Sequence, residues 1–374
     1  MSVEIKELHT KKELKSFVRF QWGLYKGVDP FVPPILELEM STLSSDKNPG
    51  FEHNKARFWL AYQNGKAVGR IAGILHGEES IKEKKIRFGW IDFIDDLEVS
   101  SALIEVVNDW GKEVGLTTIH GPMGFTDLDF EGVLISGFNQ ISTQATLYNY
   151  PYYQTHFEKI GFTKAVDWVE TRIKVPLGIG GQLERSAQLV EKRYGFHSIT
   201  FKSGKEILKY ADSVFKLLND SYSHLYGYYP LSENQIKYFI EAYFGFVQKD
   251  MVALVVDDQD EVIGFAITFP SLSKAFKKAG GHMYPFGFLH VLKAFYFNDT
   301  LDFFLVAAKK ELHKKGLHAL LWNSIYKALM KHNIKYIFSG QMLEDNLNVN
   351  NLLTKYESAM DEEIRRRCFT RSIN

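Results

Sequence analysis

The chain has 374 residues, 45% hydrophobic and 14% aromatic, which is more than one average domain and excludes general disorder. Lysine plus arginine and aspartate plus glutamate both total 45, so no long-range field would steer a polyanion, and nucleic acid is not expected as a partner. The single cysteine, Cys368, excludes an internal disulfide and a cysteine-built zinc site, and no run approaches the ~18 apolar residues of a membrane span.

The chain opens with "MSVEIKELHTKKELKSFVRF", whose charges recur every few residues without the apolar core of a signal peptide. A cytoplasmic protein with no membrane partner is the expectation. "VEIKEL" alternates as a short strand, and Thr10-x-x-Glu13 then has the capping-box pattern that starts an amphipathic helix. "FWLAYQNGKAVGRIAGI" pairs two apolar strands around Asn64-Gly65, a tight-turn signal. A strand, "IRFGWIDFI", a long helix, "EVSSALIEVVNDWGKEVG", and a further strand, "TTIHGPM", follow.

In "GFTDLDFEG", Asp127, Asp129 and Glu131 alternate, so an extended segment would carry them on one face. That face suits a metal or a cationic amine, but the twelve-residue calcium-loop pattern is missing and a solvated loop is the plainer reading. His120, His282 and His290 are scattered without metal-ligand spacing, so no metal is expected.

The plan then repeats. "HSITFKSGKEILKYADSVF" gives a strand and Ser203-x-x-Glu206 before a helix, and "MVALVVDDQDEVIGFAITF" gives a second hairpin. "LDFFLVAA", "LHALLWNSIYKALMKHN" and "IKYIFSG" supply strand, helix and strand again. The ends align without a gap: "HFEKIGFTKAVDWVETRI" against "KYESAMDEEIRRRCFTRS" sets Phe157 opposite Tyr356 and Thr171-Arg172 opposite Thr370-Arg371. We read a tandem repeat, 1–176 and 197–374, joined by a linker at 177–196 with glycines at its start and a connecting helix after them. "SLSKAFKKAGGHMYPFGFLHVLKAFYF" is an insertion in the second half, and the three arginines of "EEIRRRCF" read as a charged edge strand.

This order of elements, with "HKKGLH" between the fourth strand and the long helix of the second half, resembles the GCN5-related N-acetyltransferase fold. The family places an Arg/Gln-x-x-Gly-x-Gly/Ala loop there, and a later Asn-rich turn and "YEKLGF"; here "EDNLNVNNLLTKYESAM" stands in that place. The resemblance implies an α+β protein of two tandem acyl-CoA N-acyltransferase-like domains, each a mixed, mostly antiparallel sheet flanked by helices. It also implies acetyl-CoA or another acyl-CoA as cofactor, bound through His313, Lys314, Lys315, Gly316, Leu317, His318 and Ala319, with Asn346 and Asn350 beside it. Tyr356 takes the place of the tyrosine that protonates the departing thiolate. His313 and His318 depart from the loop pattern, and Met360-Asp361 replaces the family's Gly-Phe.

The loop has a physical case of its own. A helix start offers free N–H groups and partial positive charge, glycine allows close approach, and the lysines add potential for a diphosphate. Amine acylation also needs a base, for which Asp302 at the start of the fourth strand and Glu344 after the fifth are the candidates. The first half lacks the glycine loop, and Asp95, Asp96 and Glu98 would repel a diphosphate, so it reads as a worn copy that props the second half or walls the acceptor groove. The expected activity is transfer of an acyl group to a small-molecule or peptide amine. The rival is a non-catalytic acyl-CoA- or ligand-binding module that keeps the fold.

Overall fold

A computed structural model describes residues 2–143, 145–346, 358 and 363–373. The first half runs β1 (Glu4–Glu7), α1 (Lys11–Leu24), α2 (Leu36–Thr42), β2 (Lys55–Gln63), β3 (Lys66–Leu75), α3 (Gly77–Lys82), β4 (Lys85–Phe93), α4 (Leu97–Glu113), β5 (Thr118–Gly121), β6 (Val133–Ser136), α5 (Tyr152–Lys159), β7 (Thr163–Glu170) and β8 (Arg172–Lys174). The helix α6 (Gly180–Tyr194) leads into β9 (His197–Ile199), α7 (Gly204–Ile207), α8 (Ala211–Tyr222), α9 (Glu233–Tyr243), β10 (Val252–Val256) and β11 (Val262–Pro270). Then come α10 (Ser273–Ala279), α11 (Gly287–Tyr296), β12 (Thr300–Ala308), α12 (Leu317–Lys331), β13 (Tyr336–Phe338), β14 (Met342–Leu343) and β15 (Ile364–Ser372).

Local chemistry explains most of these boundaries. Thr10 and Glu13 form the full capping box at α1. Asn64 and Gly65 both take positive φ, 51° and 74°, which the two-residue hairpin between β2 and β3 requires. The second capping box forms only in part: Glu206 accepts from the Lys202 amide, but Ser203 makes no side-chain cap and α7 stops after one turn. In α4, Val99, Leu103, Val107 and Trp110 recur every three or four residues and are buried in the first core. The stretch between the halves is no mere tether. Ala187 of α6 is buried, and the helix packs with α12 in the core of the second sheet.

Two mixed, mostly antiparallel sheets result, with orders β1-β2-β3-β4-β5-β15-β7-β14 and β8-β13-β12-β11-β10-β9. Among the described residues, the only parallel pairings are β4 with β5 and β12 with β13. The final strands are exchanged: β15 lies between β5 and β7 of the first sheet, while β8 closes the second sheet beside β13. The charged-edge reading of "EEIRRRCF" is therefore corrected. Arg366 is buried, donating from Nε to Glu170 at 2.5 Å, and Arg367 grips Asp167 with two bonds of 2.7 and 2.8 Å.

Burial pushes the Glu170 carboxyl up and Arg366 opposes it. Removing the cation alone leaves that carboxylate unpaired in the seam. Arg366→Met is expected to cost about 3–5 kcal/mol in urea unfolding, more at high pH than low, with much of the loss recovered when Glu170→Met is added.

Candidate active site at the splayed strand

β12 and β13 pair only from Thr300 to Asp302, opposite Tyr336 to Phe338. Beyond Asp302 the two strands part, and among the described residues β12 continues to Ala308 paired with β11 alone. A bulge sits at this point, since Ile267 faces Leu305 while Thr268 faces Phe303. An opened strand edge presents main-chain groups to a ligand in place of a neighbour strand.

At the far end of β12 the chain makes a short 3₁₀ turn, and Gly316, at φ 80°, begins α12 without a side-chain cap. A Cβ at Gly316 would come within 3.0 Å of Val190 Cγ2. His313 is exposed, with Nε2 bonded to the Ala308 carbonyl at 3.1 Å. Lys314 is exposed, and Lys315 is turned onto the rings of Tyr194 and Phe196. Leu317 and Ala319 are buried and seat the helix. His318 is exposed, and the packing around it holds the imidazole below its ordinary value and favours the neutral form. An uncapped helix start behind a glycine, joined to an opened strand edge, fits a diphosphate carrying an extended arm.

Asp302 stands where the strands divide. It is 5% exposed, and among the described residues neither carboxylate oxygen has a hydrogen bond of normal geometry. Burial raises its pKa to about 7, against the opposing influence of Ser271 and Arg172. It lines a cavity of about 490 Å³ with Arg172, Ser271, Phe338 and Phe297, walled on one side by Ile141 and Thr143 of the first half. Arg172 arrives there on the exchanged strand β8, donating to Thr300 Oγ1 at 3.3 Å.

The other sequence candidates fall elsewhere. Glu344 is paired with Lys164 and Arg365 beside β7, a joint between the halves that occupies its carboxylate. Asn346 is exposed, and its main-chain N–H donates to the Leu343 carbonyl. Tyr356 and Asn350 lie outside the described residues. Asp127 and Asp129 are half-buried and Glu131 is buried, so the solvated-loop reading holds only in part: burial lifts both aspartates to about 6 and Glu131 well above its usual range, with Arg87 opposing. Among the described residues no group of histidine, cysteine or acidic side chains is arranged to hold a metal.

The first half has the same strand geometry with different contents. β4 and β5 also pair over three residues, ending at Arg87 opposite His120, so Arg87 takes the place that Asp302 holds in the second half. Arg87 is fully buried, bound to Glu79 at 2.6 Å and to the Gly124 and Gly227 carbonyls. Farther along β4, the Phe93 amide donates to Tyr153 Oη and its carbonyl accepts from Tyr152 Oη. Asp96 caps α4 with its own carboxylate. The chain's own side chains fill this copy.

Superposed on a solved tandem GCN5-related acetyltransferase from the clavulanic acid pathway, the chain matches over its whole length and 99% of that structure, with a TM-score of 0.55 at 12% identity. The fold is that of a tandem GCN5-related N-acetyltransferase. No family model matches the sequence. In sequence, the chain is 26% identical to Protein YghO of Escherichia coli over 92% of its length and 90% of that protein. It is 25% identical to a bacterial ceramide synthase of Caulobacter vibrioides over 76% of the chain and 74% of that protein. No described helix is long and apolar enough to cross a membrane.

Proposed function

We propose that the chain is an acyl-coenzyme A-dependent N-acyltransferase whose second half does the chemistry and whose acceptor is a long-chain amine. The observation that carries this reading is the buried Asp302 carboxylate, without a hydrogen bond of normal geometry among the described residues, at the point where β12 leaves β13. The main-chain amides around Gly316, Leu317 and His318 would hold the diphosphate, Lys314 would add charge, and the main-chain N–H groups of the edge from Phe303 to Ala308, where Tyr222 and His313 already bond the Val306 and Ala308 carbonyls, would hold the arm. When bound, coenzyme A supplies an acyl group activated as a thioester.

Asp302, near half-ionised at neutrality, takes the proton from an ammonium entering the cavity, which leaves the neutral amine as nucleophile. Main-chain N–H groups of the opened strand lie ready for negative charge that develops on an acyl oxygen. Phe297, Phe338 and Ile141 give the cavity an apolar wall suited to the chain of a lipid amine. The relative in Caulobacter points the same way by its name, a ceramide being the amide of a fatty acid with a long-chain amino alcohol.

Acyl-coenzyme A of several chain lengths should be offered with a long-chain amino alcohol, a polyamine and a lysine peptide, and the amide read by mass spectrometry. Product with the amino alcohol, lost in Asp302→Asn, is the expected outcome. Saturable cofactor binding without transfer to any amine would instead make the protein a binding module.

A further inference from the structure

The geometry points to a second working surface: the outward face of α11 is a docking surface for an anionic phospholipid bilayer. Of the large hydrophobic side chains left exposed among the described residues, six fall within one stretch of fourteen: Tyr284, Phe286, Leu289, Leu292, Tyr296 and Phe297. All the exposed aromatics of that set are here, with Tyr296 at 80% and Phe297 at 78% exposure. Phe286, Leu289, Leu292 and Tyr296 follow helical spacing, so the face is a continuous stripe. Monomeric proteins seldom leave so concentrated an apolar patch uncovered without an interaction to make.

The segment is not simply unpacked. On its inner side Val291 is buried with Leu272, Ala275 and Phe276 against Val32 and Ile35 of the first half. The Leu36 amide donates to the Gly281 carbonyl, and Lys277 is bonded to Asp29. The insertion is therefore anchored by one face while its other face points away from the body.

Charge selects the occupant. In a chain of zero formal net charge, residues 271–297 contain four lysines, two histidines and no acid. Lys274, Lys278 and Lys293 are exposed beside the aromatic stripe. A basic helix with a broad apolar face and too few residues to span is the composition of an interfacial element, which buries its apolar face among headgroups and draws anionic lipid to its cations. A second protein copy would set the same lysines against each other. Phe297, Ala294 and Lys274 also line the cavity that holds Asp302, so the docked surface would open that cavity toward the membrane. The sequence reading of no membrane partner weighed spanning length only, which says nothing of a helix lying flat.

The inference goes beyond the proposed chemistry and does not rest on it, because vesicle partition is read without turnover. Purified full-length protein should be floated with vesicles of phosphatidylcholine alone and of phosphatidylcholine mixed with phosphatidylglycerol. The expected result is flotation with the anionic vesicles, weakened by salt. The combined variant Phe286→Ser, Leu289→Ser, Leu292→Ser and Tyr296→Ser should lose it by about tenfold or more, with an unchanged circular dichroism spectrum. Lys274→Glu with Lys278→Glu and Lys293→Glu should lose only the preference for anionic lipid. Ile81→Ser with Leu177→Ser, exposed elsewhere, should float as the parent does. Absence of flotation with either vesicle, or equal flotation of the four-serine variant, overturns the proposal. So does a parent dimer in sedimentation that becomes monomeric in that variant, since a second copy would then cover the face.

Discussion

Gly316→Glu is expected to abolish coenzyme A binding while leaving the protein folded. Two effects act at once. A non-glycine residue held at φ 80° costs roughly 1–2 kcal/mol, and the added Cβ meets Val190 at 3.0 Å, so a modest loss of stability accompanies the change. The larger effect is electrostatic. A carboxylate set at the start of α12 opposes a diphosphate at short range, and at about 4 Å with an effective dielectric constant near 20 that repulsion is about 4 kcal/mol. Calorimetric titration with acetyl-coenzyme A should therefore show affinity reduced by about a hundredfold or more. Gly316→Ala separates the terms: it carries the backbone strain without the charge, and should retain binding within about tenfold. Equal affinity in parent and glutamate variant would move the cofactor away from this helix and remove the ground for the proposed enzyme.

The two halves differ at one residue in a way that accounts for their division of labour. The register ends at Arg87 in one sheet and at Asp302 in the other, both buried at the point where parallel strands separate. Each nitrogen of the cation finds a partner: Glu79 on one and two carbonyls on the others, one of them Gly227 of the second half. Such a group locks its surroundings and has nothing to give a substrate. The carboxylate at the equivalent place has no such set of partners among the described residues and keeps a cavity before it. An unsatisfied buried group costs stability, and its persistence here is explained if a ligand completes it. Tyr152 and Tyr153 add to the contrast, since they bond both main-chain groups of Phe93, whereas on β12 Tyr222 and His313 bond the carbonyls of Val306 and Ala308.

What could be read from the sequence follows the range of the forces involved. The Asn64-Gly65 turn, the Thr10 cap and the periodicity of α4 are set by neighbours within a few residues, so they were legible. The Gly316 loop was legible for the same reason, because a glycine before an amphipathic run fixes its own conformation. Strand exchange was not. Arg366 and Glu170 are almost two hundred positions apart, and a run of arginines looks alike whether it faces water or a buried carboxylate. The one available signal was the gapless match of Thr171-Arg172 to Thr370-Arg371, which marks equivalent strands but not the sheet each one joins. Asp127, Asp129 and Glu131 misled by the same route, since alternation gave their shared face but not what packs over it. Glu344 and Asp302 were equal candidates by position, and their surroundings differ: Glu344 is paired with Lys164 and Arg365, while Asp302 faces a cavity.

Asp302→Asn tests the chemistry and the energetics together. As a base, the carboxylate must be ionised, so the acid limb of the parent's rate should follow one group of pKa about 7. The amide cannot take a proton, and kcat should fall by about 10²–10⁴ with that ionisation gone from the residual rate. Stability should move the opposite way at high pH. A carboxyl whose pKa is higher folded than unfolded binds more protons in the folded state, so stability falls as pH rises. Here the fall runs from near the unfolded value, about 4, to about 7, and the loss persists above it. Over that window the linkage amounts to about 4 kcal/mol for a fully buried group, an upper bound because the charged form can draw water into the cavity. The asparagine variant has no such dependence. In urea unfolding it should equal or fall below the parent at pH 5 and equal or exceed it at pH 8, while its activity is lowest relative to the parent at pH 8. A carboxylate held only for structure would show the reverse, with the variant less stable at pH 8 and its pH–rate profile unchanged in shape.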